Sequence, residues 1–183
     1  ADNISFARAV TLTGNVALST ASGAGNITFT STTDGGYNLT LTAGSGNVTL
    51  TGAVGGSTRL NALTVGSATN VTASGAITAA SIAQTAGSGT TTFNGALNTN
   101  TASGIDLNGT AFTLNAAVTT SSGGTLTITN SGTLTIAAAA DMTLDGAFTQ
   151  DGAATVSTAG DITTTADNIS FARAVTLTGN VAL

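Results

Sequence analysis

The chain has 183 residues, of which 24 are Gly and none is Pro, Cys or His; 41% are hydrophobic and only 6% charged. Its three bases are all Arg and its eight acids all Asp, a net charge of −5. Three Arg cannot neutralise a phosphate track, so nucleic acid is excluded as a partner, the missing Cys excludes disulfides and thiolate metal sites, and the hydrophobic content is too high for a disordered chain.

No apolar run approaches the roughly 18 residues of a membrane-spanning helix, so no membrane insertion is expected in this segment. The chain opens with ADNISFARAVTLTGNVAL at residues 1–18, and the same eighteen residues return at 166–183. The offset from Ala1 to Ala166 is 165 residues, which reads as one full tandem repeat, 1–165, followed by the start of the next, 166–183. Within the opening segment Ile4, Phe6, Arg8, Val10 and Leu12 share one parity. An unpaired inward Arg8 would be costly, so a corner near Ala7–Ala9 is expected to turn it outward.

Short strands follow in chain order. Asn26–Thr30, Leu39–Thr42 and Asn47–Thr51 alternate apolar residues with Thr or Asn, the period of a half-buried strand. Leu126–Thr129, Leu134–Ile136 and Met142–Leu144 do the same later in the chain. Between such runs sit turn-forming clusters, for example Ala43-Gly44-Ser45-Gly46 and Ser121-Ser122-Gly123-Gly124. Ala137–Ala140 is too short to sustain a helix.

One apolar series runs through the chain: Phe29, Leu50, Val71, Phe93, Leu114, Ile136, Val156 and Leu177, at steps of 20 to 22 residues. Leu12 precedes Leu177 by 165 and closes the cycle, although its own step to Phe29 is only 17. This period predicts an all-β, parallel β-solenoid with about eight coils of about 21 residues per 165-residue repeat. Inward ladders of Val, Ile, Leu and Phe would form one core, and Thr and Ser would cover the outside. Three Asn pairs fit coil spacing: Asn26 with Asn47, Asn94 with Asn115, and Asn108 with Asn130. Each is expected at a coil corner, with its amide bonded to the Asn of the next coil.

The stretch DGGYNLTLTAGSGNVTLTGAVGG, from Asp34 to Gly56, resembles the β-strand-repeat arrays of very large bacterial surface and filament proteins. These are akin to filamentous haemagglutinin-like exoproteins and autotransporter passengers. The resemblance implies a right-handed β-helix, secretion to the bacterial cell surface, and a role in adhesion, matrix or surface fibres. It carries over no catalytic residues.

The residues themselves argue against chemistry. General acid–base catalysis draws on His, Glu or Lys, and none is present. Most of the Asp residues lie beside Gly, Asn or Ala at turns, where Asp is favoured by its own backbone hydrogen bonds. Polysaccharide lyases share the right-handed β-helix, but their Lys, Arg and Asp clusters are missing. Asp141, Asp145 and Asp151 fall within eleven residues, yet match no EF-hand or nonapeptide calcium array and read as solvated turn acids. Gly44-Ser45-Gly46 lacks the helix and Lys of a phosphate loop. The Asn-x-Ser/Thr sequons at Asn3, Asn26, Asn38, Asn47, Asn70, Asn108 and Asn168 follow from a Thr-rich composition.

No catalytic, cofactor-binding or metal site is therefore expected, and no cofactor. The expected function is structural: an extracellular filament- or fibre-forming repeat protein. Its partner would be itself, through continuation of the solenoid or through end-to-end and lateral self-association. The alternatives are the stalk of a large adhesin, which binds a surface or matrix ligand through a tip outside this segment, and a Thr-rich ice-binding solenoid. Thr-x-Thr begins at Thr11, Thr28, Thr40, Thr49, Thr125 and Thr133. Ice binding needs such residues as an unbroken Thr ladder on one face. The spacings of 9 from Thr40 to Thr49 and 8 from Thr125 to Thr133 put those pairs on different faces.

Overall fold

A computed structural model describes residues 2–21 and 23–183. Among these residues there is no helix, and every strand pairing is parallel. The chain is a β-solenoid of about eight turns, with about 21 residues to the turn.

Three faces alternate along it. Face A is a nine-stranded sheet running from Ile4–Phe6 through Ile27–Phe29, Val48–Leu50, Val71–Ala73 and so on to Val175–Leu177. Face B begins with Val10–Thr11 paired to Thr33–Asp34, passes through a bridge at Val54, and ends at Ile162–Thr164. Face C runs from Val16–Ser19 to Ile169–Phe171. Faces B and C join through one long strand, Ile77–Gln84, whose first residues pair with Leu97 and Asn98 on face B and whose later ones pair with Leu60–Val65 on face C. Its burial alternation slips at Ala80–Ser81, both half-buried, as the strand changes face.

The strands form where the alternation predicted them. Ile27–Phe29, Leu126–Asn130 and Met142–Leu144 each bury their apolar residues and leave the intervening Thr facing out. Ala43–Gly46 and Ser121–Gly124 are turns closed by bonds from the Gly46 and Gly124 amides to the carbonyls of Ala43 and Ser121, at 2.8 and 3.1 Å. Ala137–Ala140 is a turn of the same kind. Arg8 lies exposed in a bend, as its cost of burial required. Gly75 stacks between Gly52 and Gly95 at the corner between faces A and B. A Cβ on Gly75 would strike the Gly52 carbonyl, and one on Gly95 would strike the Gly75 carbonyl. Only a residue without a side chain lets those corners approach at coil spacing.

The core is continuous from end to end. Ile27, Phe29, Leu39, Leu41, Phe112, Leu114, Leu134 and Phe148 are all 2% exposed or less. Phe6 stacks on Phe29 with ring centroids 4.7 Å apart. The inward column of face A reads Phe6, Phe29, Leu50, Ala73, Phe93, Leu114, Ile136, Thr158 and Leu177. This corrects three members of the apolar series. Ala73 occupies the place assigned to Val71 and Thr158 that of Val156, because the two coils differ in length and shift the strand by two residues. Leu12 lies just past the face B strand, and Phe6 starts the face A column. The short step of 17 from Leu12 to Phe29 is therefore only part of a coil.

Candidate functional site

Face A carries the most regular surface of the molecule. Its central outward position is Ser5, Thr28, Thr49, Thr72, Thr92, Thr113, Thr135, Ser157 and Thr176, each the strand neighbour of the next. Nine strands at about 4.8 Å make a hydroxyl ladder about 38 Å long. Each rung is β-branched or small and offers one hydroxyl to solvent. The corresponding column of face C is Ala17, Thr40, Thr64, Ala83, Asp106, Thr127, Thr149 and Ser170, so the hydroxyls are interrupted. On face B, Thr11 is followed by Asp34, and Thr78 by Asn98.

Thr40 and Thr49 lie on faces C and A, as their spacing of 9 required. Thr125 and Thr133 immediately precede strands of faces C and A. The ladder on face A is single file. The position two residues beyond it reads Ala7, Thr30, Thr51, Ser74, Asn94, Asn115, Ala137, Ala159 and Thr178, which mixes hydroxyl, amide and methyl groups.

Asn side chains fasten the coil corners beside that ladder. The Asn26 side-chain carbonyl accepts from the Asn47 backbone amide at 2.8 Å and from its Nδ2 at 3.2 Å, and Asn47 accepts in the same way from Asn70. The run begins at Asn3, whose Oδ1 accepts from the Asn26 amide at 2.8 Å. A second run joins Asn15, Asn38 and Asn61. Asn115 donates to Asn94 at 2.8 Å, as its spacing suggested. Asn108 and Asn130 do not pair. Asn108 aligns with Thr129, and Asn130 is fully buried with its Nδ2 on the Gly132 carbonyl at 2.6 Å. A spacing of 22 is one residue out of register there, and one residue reverses a side chain's face.

The acids act similarly. Asp141 accepts from the Asp161 amide at 3.0 Å, Asp145 from the Gly123 amide at 2.8 Å, and Asp34 from the Ser57 and Thr58 amides. Asp151 accepts from the Thr129 hydroxyl. Asp141, Asp145 and Asp151 thus hold three different neighbours. Among the described residues no three acids converge where a metal ion could bind.

Two features escaped sequence reading. Arg59 is half-buried, and its guanidinium spans coils, donating to the Ala79 carbonyl at 2.7 Å, the Asn98 carbonyl at 3.0 Å and the Asn98 side chain. Its one visible signal was that it is one of only three bases. Buried amides also line the corner between faces C and A. Gln84 accepts from the Thr91 hydroxyl at 2.8 Å, and Gln150 donates to Asn130 at 2.7 Å while its Oε1 has no partner. No spacing marked those residues.

The fold is thus that of a β-solenoid with an uncharged hydroxyl face and amide-laddered corners. No family model, curated protein or solved structure matches the chain. The described residues form no helix, so none is long and apolar enough to cross a membrane.

Proposed function

We propose that this protein is the shaft of a structural filament at a bacterial cell surface, outside the cell, and is not an enzyme. The observation that carries the reading is the continuity of one dry core and one hydrogen-bonded ladder through every coil. Stretching such a shaft along its axis loads the coil-to-coil ladders in parallel, on three faces together. The acids are scattered, with Asp34 and Asp106 in strands and most of the others at bends, and those whose carboxylates hydrogen-bond serve neighbouring coils. The likeness of Asp34–Gly56 to surface-protein repeats supports the extracellular placement. The filament's partner is more of the same solenoid. An adhesin stalk would use the same shaft to hold a separate tip.

The test is fibre diffraction or electron microscopy of native material. Fibres with a strong reflection near 4.8 Å along the axis are the expected result. Native material consisting of compact monomers would overturn the filament reading.

The hydroxyl ladder of face A favours ice binding as a second reading, because one face does carry an unbroken run of Ser and Thr. The mixed column beside it weakens the match to a two-dimensional lattice. Thr92→Tyr places a bulky ring in the middle of the ladder without touching the core. Loss of ice shaping in that variant would support this reading. A wild-type chain that leaves ice growth unaltered would remove it.

A further inference from the structure

Face A differs from the other two faces in what it lacks. None of the three Arg or eight Asp occupies an outward position on it. Asp34 stands in a strand of face B and Asp106 in a strand of face C, and the other charged residues lie outside the strands. Two outward columns flank the hydroxyl ladder, one running from Asn3 to Ala174 and the other from Ala7 to Thr178, and they hold only Asn, Thr, Ser and Ala. Among the described residues, then, no outward side chain of face A is charged, aromatic or longer than Asn. The surface is neutral and of nearly even height from coil to coil.

The ladder is also stiff. Thr28, Thr49, Thr72, Thr92, Thr113 and Thr135 are half-buried, and the β-branch restricts χ1. Side chains held in this way lose little rotamer freedom when a second surface covers them. Depletion of charge at the centre of a patch is a compositional mark of protein interfaces.

We propose that face A is the surface on which a second copy of this solenoid packs side by side, face A against face A. The proposal deepens the filament reading, on which it rests for its setting, and makes the unit of the fibre a pair of threads. Three observations favour a second copy as the occupant. The first is pitch. The rungs of face A recur at the strand spacing of about 4.8 Å, and another parallel β-ladder carries the same spacing along its whole length, so the two sets of rungs stay in step. An ice lattice would have to match the crosswise spacing too, where the flanking columns mix hydroxyl, amide and methyl groups. The second is charge. The chain has a net charge of −5, so copies repel through the faces that bear Asp, whereas contact through face A sets no charge against charge. The third is area. Face A is about 38 Å long and, over three columns two residues apart, about 15 Å wide, or about 600 Å² on each copy. Two copies together cover about 1,200 Å², the lower end of the range for specific, stable interfaces.

The packing is the dry interdigitation of small side chains between paired sheets. Thr methyl groups of one copy settle between the rungs of the other, and the hydroxyls bond across the contact. The same patch serves both copies, so the contact is isologous and closes at two. Faces B and C, with Asp34 and Asp106 in their strands, do not extend it into a sheet of threads.

The experiment is sedimentation equilibrium of the 183-residue chain and of three variants, each checked for its β-sheet spectrum by circular dichroism. The wild type should form a dimer whose affinity is insensitive to salt, since the contact covers no charge. Thr92 is the middle rung of the ladder, so it lies opposite its own counterpart whether the two axes run the same way or opposite ways. Thr92→Asp and Thr92→Arg should each weaken the dimer at least about tenfold by setting like charges together. An equimolar mixture of the two should restore it by pairing opposite charges. Thr127→Arg, in the outward column of face C, should dimerise as the wild type does. A wild type that stays monomeric across its soluble range would overturn the proposal. So would association undiminished in the separate Thr92 variants, a mixture no stronger than its components, or equal weakening by Thr127→Arg. In native material, well-separated single threads would overturn the pairing and leave the filament reading standing. Compact two-chain particles without fibres would overturn the filament reading and leave the pairing standing.

Discussion

Residues 1–18 and 166–183 are chemically identical and structurally different. Phe6 stacks under Phe29 on face A, whereas Phe171 packs against Phe148 on face C. Leu12 is 5% exposed and Leu177 is 53% exposed. In both copies the strands begin six residues apart, at Ile4, Val10 and Val16 and at Ile169 and Val175. Local sequence thus sets where strands and bends form. Which face a strand joins is set by the coil it lands on. Apolar-Thr-apolar is acceptable to all three faces, since each buries one side and shows the other.

The difference between the copies can be measured first in the core. Leu12→Ala removes a buried side chain and should destabilise the chain by about 2–5 kcal/mol, seen as a lower urea midpoint. Leu177→Ala, the same change in the same local sequence, should cost less than about 1 kcal/mol in the monomer. Equal losses from the two variants would show that the copies share one environment and would contradict the assignment to different faces.

Much of this architecture was legible because the solenoid repeats its physics. Strand alternation, Gly and Ser turns, the coil length and the Asn26–Asn47 and Asn94–Asn115 ladders all followed from spacing. The phase of the coils did not. Phe29 to Leu50 is 21 residues and Leu50 to Ala73 is 23, and turns absorb the difference without any mark in the strands. An apolar series chosen by period therefore drifts by two residues, keeps its parity and still looks regular. That is how Val71 and Val156 entered it. Leu12 entered because the repeat offset was taken as a whole number of coils. The Gln84, Asn130 and Gln150 corner was hidden for another reason. Gln84 meets Thr91 round the corner and Asn108 in the next coil, and Gln150 meets Asn130 across coils, and sequence spacing does not report such neighbours.

A smaller contrast lies in the Asn residues of the two copies. Asn3 accepts a hydrogen bond from the Asn26 amide, whereas among the described residues the Asn168 side chain has no such bond. Asn3→Ala should cost about 0.5–1.5 kcal/mol and speed hydrogen exchange at the Asn26 amide. Asn168→Ala should leave monomer stability within about 0.5 kcal/mol of wild type. Unchanged exchange at Asn26 in the Asn3 variant would show that the amide ladder is ornamental and that the sheet alone holds the corner.

The smallest contrast is between Arg8 and Arg173. Both are exposed in bends, and Arg173 Nε donates to the Ala153 carbonyl at 3.1 Å, a residue of the coil below. Arg8 makes no such bond among the described residues. Single exposed hydrogen bonds of this kind add little, because the freed carbonyl is hydrated instead. Each Arg→Ala change should therefore alter monomer stability by no more than about 0.5 kcal/mol.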